Sequence, residues 1–171
     1  MLKNILVPLD ASPLSEQALA YAQNVIAPHG TIILLGVLEL PVNYDYTLID
    51  VPMSFVASRQ ITDAELEHAV QRVHDYLNGI AKPLLANGYT VECLVENGDA
   101  ATLINVVAQD KGVDAIVMST HGRTGLNKFL FGSVTQKVMS HMVCPVLVVP
   151  GHVPEKAKEI KQTGRLIPAT N

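Results

Sequence analysis

Apolar residues along this chain gather in five short runs, separated by stretches whose apolar positions recur at helical spacing. The runs are "LKNILVPL" (2–9), "TIILLGVL" (31–38), "YTVECLVE" (89–96), "VDAIVMS" (113–119) and "CPVLVVP" (144–150). In each, Leu, Ile and Val fill consecutive positions rather than every second one. That is the pattern of a strand covered on both faces. Between them, "ASPLSEQALAYAQNVIAPHG" (11–30) carries Leu14, Ala18, Leu19, Ala22, Val25 and Ile26 on one helical stripe. Ser12 is placed to cap it, Pro13 suits its first turn, and Gly30 follows its end. "QITDAELEHAVQRVHDYLNGIAKPLLANG" (60–88) presents Leu66, Ala69, Val73, Leu77, Ile80 and Leu84 as a second stripe. It opens on a Thr62–Glu65 capping box, and Gly79 and Pro83 are expected to bend or shorten its end. "DAATLINVVAQDKG" (99–112) predicts a shorter helix capped by Asp99, and a last helix runs from about Gly132 to His141.

The order is therefore βαβαβαβαβ with apolar strands. Strands buried on both faces require helices on both faces, so the expected fold is α/β: a five-stranded parallel sheet sandwiched by helices. Right-handed crossovers cover both faces only if the sheet winds in two directions from a central strand. Ligands of such sheets bind outside the carboxyl ends of the strands, where the winding reverses.

Two segments fall outside the alternation. Residues 39–59, "ELPVNYDYTLIDVPMSFVASR", form a long aromatic connection that suits a lid, a partner surface or local packing. Residues 152–171 read as a mobile tail or a short loose helix, leaving residues 1–151 as the domain.

Composition narrows the function classes. A chain of 171 residues at 49% hydrophobic and 16% charged fits one domain with a full core. No apolar run reaches the roughly 18 residues of a membrane span. The start, "MLKNILVPLD", is broken by Pro8 and Asp10 and lacks the marks of a signal peptide. A net charge of -4 without a basic block speaks against nucleic acid as the main partner. Cys93 and Cys144 sit in apolar runs and read as buried thiols, which fits the cytoplasm. His68 and His74 are six apart, the wrong spacing for one helical face, and His141 near Cys144 has no further ligand pair. The protein alone thus offers no metal site.

Candidate chemistry concentrates in "STHGRTGLNKFLFGSV" (119–134). Gly132, Ser133, Val134 and Thr135 open a helix, where free N–H groups and the positive dipole end suit an anion. The same residues permit a plain structural role, because Ser133 and Gln136 make a capping box. Gly122 suits close backbone approach or a turn, and Gly125 a turn. Arg123 and Lys128 can pair with phosphate or stay solvated. His121 suits backbone positioning. Asp10, ending the first strand, can accept from a ligand or cap the following helix.

Taken together, "ILVPLDASPLSEQAL", "TIILLGV" and "IVMSTHGRTGLNKFLFGSVTQKVMSHMVCPVLVVP" resemble the universal stress protein family from about Leu2 to Pro150. The resemblance implies an adenine-nucleotide alpha-hydrolase-like (Rossmann-like) sheet. It also implies ATP or AMP at the carboxyl ends of the first and fourth strands, with Mg2+ reaching Asp10 through the phosphates. The family motif is Gly, two residues, Gly, nine residues, Gly, then Ser or Thr. Here Gly122 and the Gly132–Ser133 pair match, and Ser119 replaces the first glycine. Ser is costly there if the backbone needs positive φ, and tolerable if the position is an extended strand end. The implied nucleotide site comprises Pro8, Leu9, Asp10, Val37, Met118, Ser119, Thr120, His121, Gly122, Arg123, Gly132, Ser133, Val134 and Thr135. For Val37 and Met118 an ordinary core role competes.

The resemblance further implies a homodimer through the last strand, at Val146, Leu147, Val148 and Val149. The leading expectation is a cytoplasmic, dimeric stress-response sensor that binds an adenine nucleotide. Three alternatives compete. One is a partner-binding or chaperone-like dimer with an empty pocket, a reading Ser119 supports. A second is a slow ATPase or autokinase with Ser133 or Thr135 as acceptor, although the sequence shows no evident base and no G-x-x-x-x-G-K-[ST]. A flavin or dinucleotide carrier ranks low, because the first strand leads into "DASPLSE" rather than a Gly- or Thr-rich phosphate loop.

Overall fold

The computed structural model describes residues 1–39, 62–120 and 132–150. Segment 40–61, the stretch 121–131 and the tail from 151 onward lie outside the described residues. The elements are β1 (Leu2–Leu9), α1 (Pro13–Val25), β2 (Ile26–Leu38), α2 (Asp63–Ala86), β3 (Thr90–Asn97), α3 (Ala100–Asp110), β4 (Ala115–Thr120), α4 (Ser133–Ser140) and β5 (Val146–Pro150). The five strands form one sheet in the order β3-β2-β1-β4-β5. Every neighbouring pair is parallel. This is the α/β architecture that the apolar runs require.

The pleat divides the core. Ile5, Val7 and Leu9 of β1, Ile32 and Leu34 of β2, and Val117 of β4 pack with Ala18 and Ala22 of α1 and Leu77, Ala81 and Leu84 of α2. Their neighbours Leu6, Ile33, Leu35, Ile116 and Met118 pack on the other face with Ala101, Ile104, Val107 and Ala108 of α3 and Val138 of α4. Successive strand residues point to opposite faces, so each apolar run feeds both layers. The twelve largest fully buried side chains, Ile5, Leu6, Leu34 and Leu77 among them, come mostly from these runs.

Local signals hold at three helix starts. The Ser12 hydroxyl accepts from Ser15 N–H, with Pro13 at the first helical position. Thr62 and Glu65 form the expected reciprocal box. Asp99 accepts from Thr102 N–H.

Three expectations are corrected. Ile26 leaves the α1 stripe: it ends the helix in extended conformation and opens β2. Gly30 consequently lies inside β2, at an irregularity where Leu2 pairs with Ile26 but Asn4 with Thr31. A Cβ on Gly30 would stand 2.6 Å from Ile26 Cγ1 and 2.9 Å from the Lys3 carbonyl oxygen, so the close crossing requires glycine. Pro83 does not shorten α2, which continues past it to Ala86 with Leu84 buried and Asn87 N–H donating to the Pro83 carbonyl at 3.1 Å. Burial of Leu84 helps to offset the missing proline donor.

Candidate functional site

The two central strands, β1 and β4, pair only at Ile5–Ala115 and Leu6–Ile116. Beyond those pairs β1 follows β2 as far as Leu9–Gly36, while β4 follows β5 as far as Thr120–Pro150. The carboxyl ends therefore part where the winding reverses, and a crevice opens there.

A cavity of about 510 Å³ fills this crevice. Its floor and walls are apolar: Pro8 of β1, Leu35 and Val37 of β2, Met118 of β4, and Ala100 and Ile104 of α3. Leu35 and Met118 belong to the α3/α4 layer of the core, so the cavity is a gap left in that layer at the top of the sheet. The rim, which carries the polar groups, comes from Leu9 and Asp10 at the end of β1, Ser15 of α1, Ser119 of β4, and Gly132 to Thr135 at the start of α4, with Leu9 and Val134 its apolar members. Its size is that of an ordinary small-molecule site, a few hundred Å3 with few polar groups.

Ten of the fourteen sequence-predicted residues line this cavity: Pro8, Leu9, Asp10, Val37, Met118, Ser119, Gly132, Ser133, Val134 and Thr135. Thr120 stands outside the lining, but its Oγ1 accepts from Gly132 N–H at 3.3 Å and braces the rim. His121, Gly122 and Arg123 lie outside the described residues. Ser15, Leu35, Ala100 and Ile104 were missed. Leu35 and Ile104 read as plain core in sequence, and Ala100 as a first-turn helix residue. Ser15 carries a signal only in hindsight, as the hydroxyl three residues after a cap.

The start of α4 differs from the expected Ser133–Gln136 box. Gly132 is the cap residue, no side chain caps the helix, and Gln136 N–H makes the first intrahelical bond to the Gly132 carbonyl. With the helix opening one residue earlier than a Ser133 cap requires, Ser133 is already helical and exposed. The N–H groups of Ser133, Val134 and Thr135 have no acceptor among the described residues. Thr135 is buried, and its hydroxyl donates to the Ser119 carbonyl at 3.4 Å. Ser119 itself sits on β4 opposite Val149. The described non-glycine residues with positive φ are Ala11 and His29, so Ser119 carries no left-handed strain.

Among the described residues, Asp10 is the one ionisable side chain in the cavity lining. Burial pushes its carboxyl up, but hydrogen bonds from Ser12 and Ser15 outweigh that and hold it below the usual carboxylate range. It therefore remains an anion and a hydrogen-bond acceptor at neutral pH. Lys137, the cation of α4, is paired with Asp99 at 3.1 Å. Cys93 and Cys144 are free and half-buried, and burial raises both thiols. Among the described residues no group of three or more His, Cys, Asp or Glu could hold a metal ion, and no helix is long and apolar enough to cross a membrane.

Fold and site together define an open, doubly wound parallel sheet with a ligand-sized cavity at its switch point. The chain belongs to the universal stress protein family, whose model matches residues 1–150. It is 31% identical over 154 residues to universal stress protein MJ0577 of Methanocaldococcus jannaschii, covering 87% of this chain and 95% of the relative. Universal stress protein MJ0531 of the same organism is 28% identical, with 86% and 81% covered. The solved structure of MJ0577 superimposes with a TM-score of 0.65 at 29% identity, covering 86% of this chain and 95% of that one. A universal stress protein family protein from Arabidopsis thaliana, At3g01520, solved with AMP bound, shares the fold at a TM-score of 0.57 and 17% identity, with 88% and 93% covered.

Proposed function

We propose that this chain binds an adenine nucleotide, ATP or AMP, in the cavity between β1 and β4 and acts as a dimeric sensor or regulator rather than by turnover. One observation carries the reading: α4 turns a start with no side-chain cap toward the cavity. Three adjacent N–H groups at the positive end of a helix, without an acceptor among the described residues, suit a phosphate. The apolar pocket of Pro8, Val37 and Met118 suits a base, and the Asp10 carboxylate suits ribose hydroxyls or a phosphate-bound Mg2+. Arg123 and Lys128, which lie outside the described residues, would add positive charge to the phosphates. Solved relatives support the ligand class: At3g01520 was solved with AMP, and another universal stress protein in complex with cAMP.

The homodimer would form through β5, an edge strand whose Leu147 is 37% exposed beside the more exposed Met142 and Val143. Unpaired apolar edges pair readily with a copy of themselves. Leu147→Glu is expected to turn a dimer into a monomer in light scattering; an unchanged mass would remove β5 from the interface. Residues 152–171 would be a tail outside the domain, and the protein would work in the cytoplasm.

The deciding experiment is to denature purified protein, identify any released nucleotide by mass, and titrate the emptied protein with ATP and AMP by calorimetry. Retained or titrating nucleotide, abolished by Gly132→Val, supports the reading. No nucleotide and no heat at millimolar concentration would favour a partner-binding dimer.

A further inference from the structure

We infer that Ser15 is a positioning residue that aims the Asp10 carboxylate into the cavity, a role that rests for its functional meaning on the nucleotide reading above. Ser15 is 6% exposed, lines the cavity, and is the third helical residue after the Ser12 cap. In an ordinary capping box that third side chain accepts from the cap residue's own N–H. Here the Ser12 N–H donates instead to Asp10 Oδ1 at 3.0 Å. The Ser15 hydroxyl is displaced two residues back along the chain, where it accepts from Asp10 N–H at 3.4 Å. Its own hydrogen goes to the Ser12 carbonyl at 2.9 Å, and its backbone N–H to the Ser12 hydroxyl at 3.1 Å.

The displacement is possible because Ala11 takes φ of 59°, a left-handed conformation that a side chain rarely adopts. Strain of this kind persists where the surroundings over-determine it, and it concentrates at functional sites. The knot fixes Asp10 twice, by its backbone through Ser15 and by its carboxylate through Ser12. A carboxylate has about four lone-pair sites, and the Ser12 N–H takes one. Among the described residues, the ionisable groups near this knot are Glu16 of α1 and Tyr76 of α2, whose hydroxyl donates to Glu16 Oε1 at 3.1 Å. That bond holds the first turn of α1 against α2. Burial, then Glu16 and Asp10, raise the Tyr76 hydroxyl well above its ordinary value, so it stays protonated.

The test compares Ser15→Ala, Ser15→Thr, Asp10→Asn and the Ser15→Ala/Asp10→Asn double variant. The Asp10 carboxyl is titrated by carbon NMR in ligand-free protein, and AMP affinity is read by calorimetry. Ser15→Ala frees the Asp10 N–H and loosens the turn that holds the carboxylate on the Ser12 N–H, so the Asp10 midpoint should rise, and Ser15→Thr should restore it. AMP affinity should fall about tenfold with Ser15→Ala, and no further when Asp10→Asn is already present. An unchanged Asp10 midpoint, or an equal loss of affinity in both backgrounds, overturns the inference. A shifted midpoint with no AMP binding by the native protein upholds the positioning of Asp10 and overturns the nucleotide reading alone.

Discussion

Two helices begin at the rim of the same cavity, and they treat their free backbone donors in opposite ways. At α3 two of the backbone donors are occupied: the Asp99 carboxylate accepts from the Thr102 N–H at 2.9 Å and its hydroxyl at 2.7 Å, and Glu39 Oε1 accepts from the Ala100 N–H at 3.2 Å. Two carboxylates thus meet the positive end of that helix. At α4 the cap residue is a glycine without a side chain, and among the described residues only the Gly132 N–H finds an acceptor, Thr120. Both helices follow a strand, and both help line the cavity, α3 through Ala100 and Ile104, α4 through Gly132 to Thr135. The difference separates two uses of one piece of physics. A helix start satisfied by its own side chains stabilises the fold, and one left open can hold an anion.

The largest expected effect comes from making α4 resemble α3. Gly132→Asp supplies a side-chain cap and places a carboxylate where a phosphate would sit. The thermal midpoint should hold or rise slightly, since glycine caps are only a few tenths of a kcal/mol worse than the best. Nucleotide binding should disappear from calorimetry. Retained AMP affinity in this variant would separate α4 from the ligand.

Making α3 resemble α4 should do the reverse. Asp99→Ala removes the cap and the Lys137 partner. For a chain of this size that lowers the thermal midpoint by about 2–4 °C, with AMP affinity unchanged within twofold. A large loss of affinity at equal stability would mean that α3 serves the ligand too.

Acid tests the same contrast without mutation. The Asp99 carboxyl is held at about 2, first by its bonds from Thr102 and then by Lys137. A group held below its ordinary value stabilises the fold above that value and loses the contribution as pH falls toward the lowered one. The α3 cap should therefore be intact at pH 5 and fail between about pH 4 and pH 2. The Thr102 amide shift should follow that window, while the Ser133 amide shows no matching step.

The smallest effect is at the third helix start, α1. Ala11→Gly relieves left-handed strain of about 1 kcal/mol and adds unfolded-state entropy of about 0.4–1 kcal/mol. The thermal midpoint should barely move, and a drop of more than 5 °C would show that the Ala11 methyl group packs.

Much of the fold was legible because its signals are local. Consecutive Leu, Ile and Val runs identify doubly covered strands, and Ser12, Thr62–Glu65 and Asp99 cap the helices their spacing announces. Where local signals competed, packing decided. Ile26 fits the helical stripe, yet it opens β2 because the chain crosses Leu2 there. Ser133 and Gln136 have box spacing, yet the helix begins at Ser133 and the box has no place to form.

The site divides along the same line. Residue order along the chain determined which strand ends carry Pro8, Asp10, Met118 and Ser119, and that a glycine would stand at the entrance to α4. The sequence also determined that five apolar strands need two helical layers, since no other arrangement keeps both faces dry. Tertiary structure decided the rest. The parting of β1 from β4 after Leu6 and Ile116 opens the cavity. The assembly of Leu35, Ala100 and Ile104 around it joins residues far apart in sequence. The left-handed turn at Ala11 sets Ser15 behind Asp10. Each depends on where separate elements meet in space, and spacing along one chain carries no record of that.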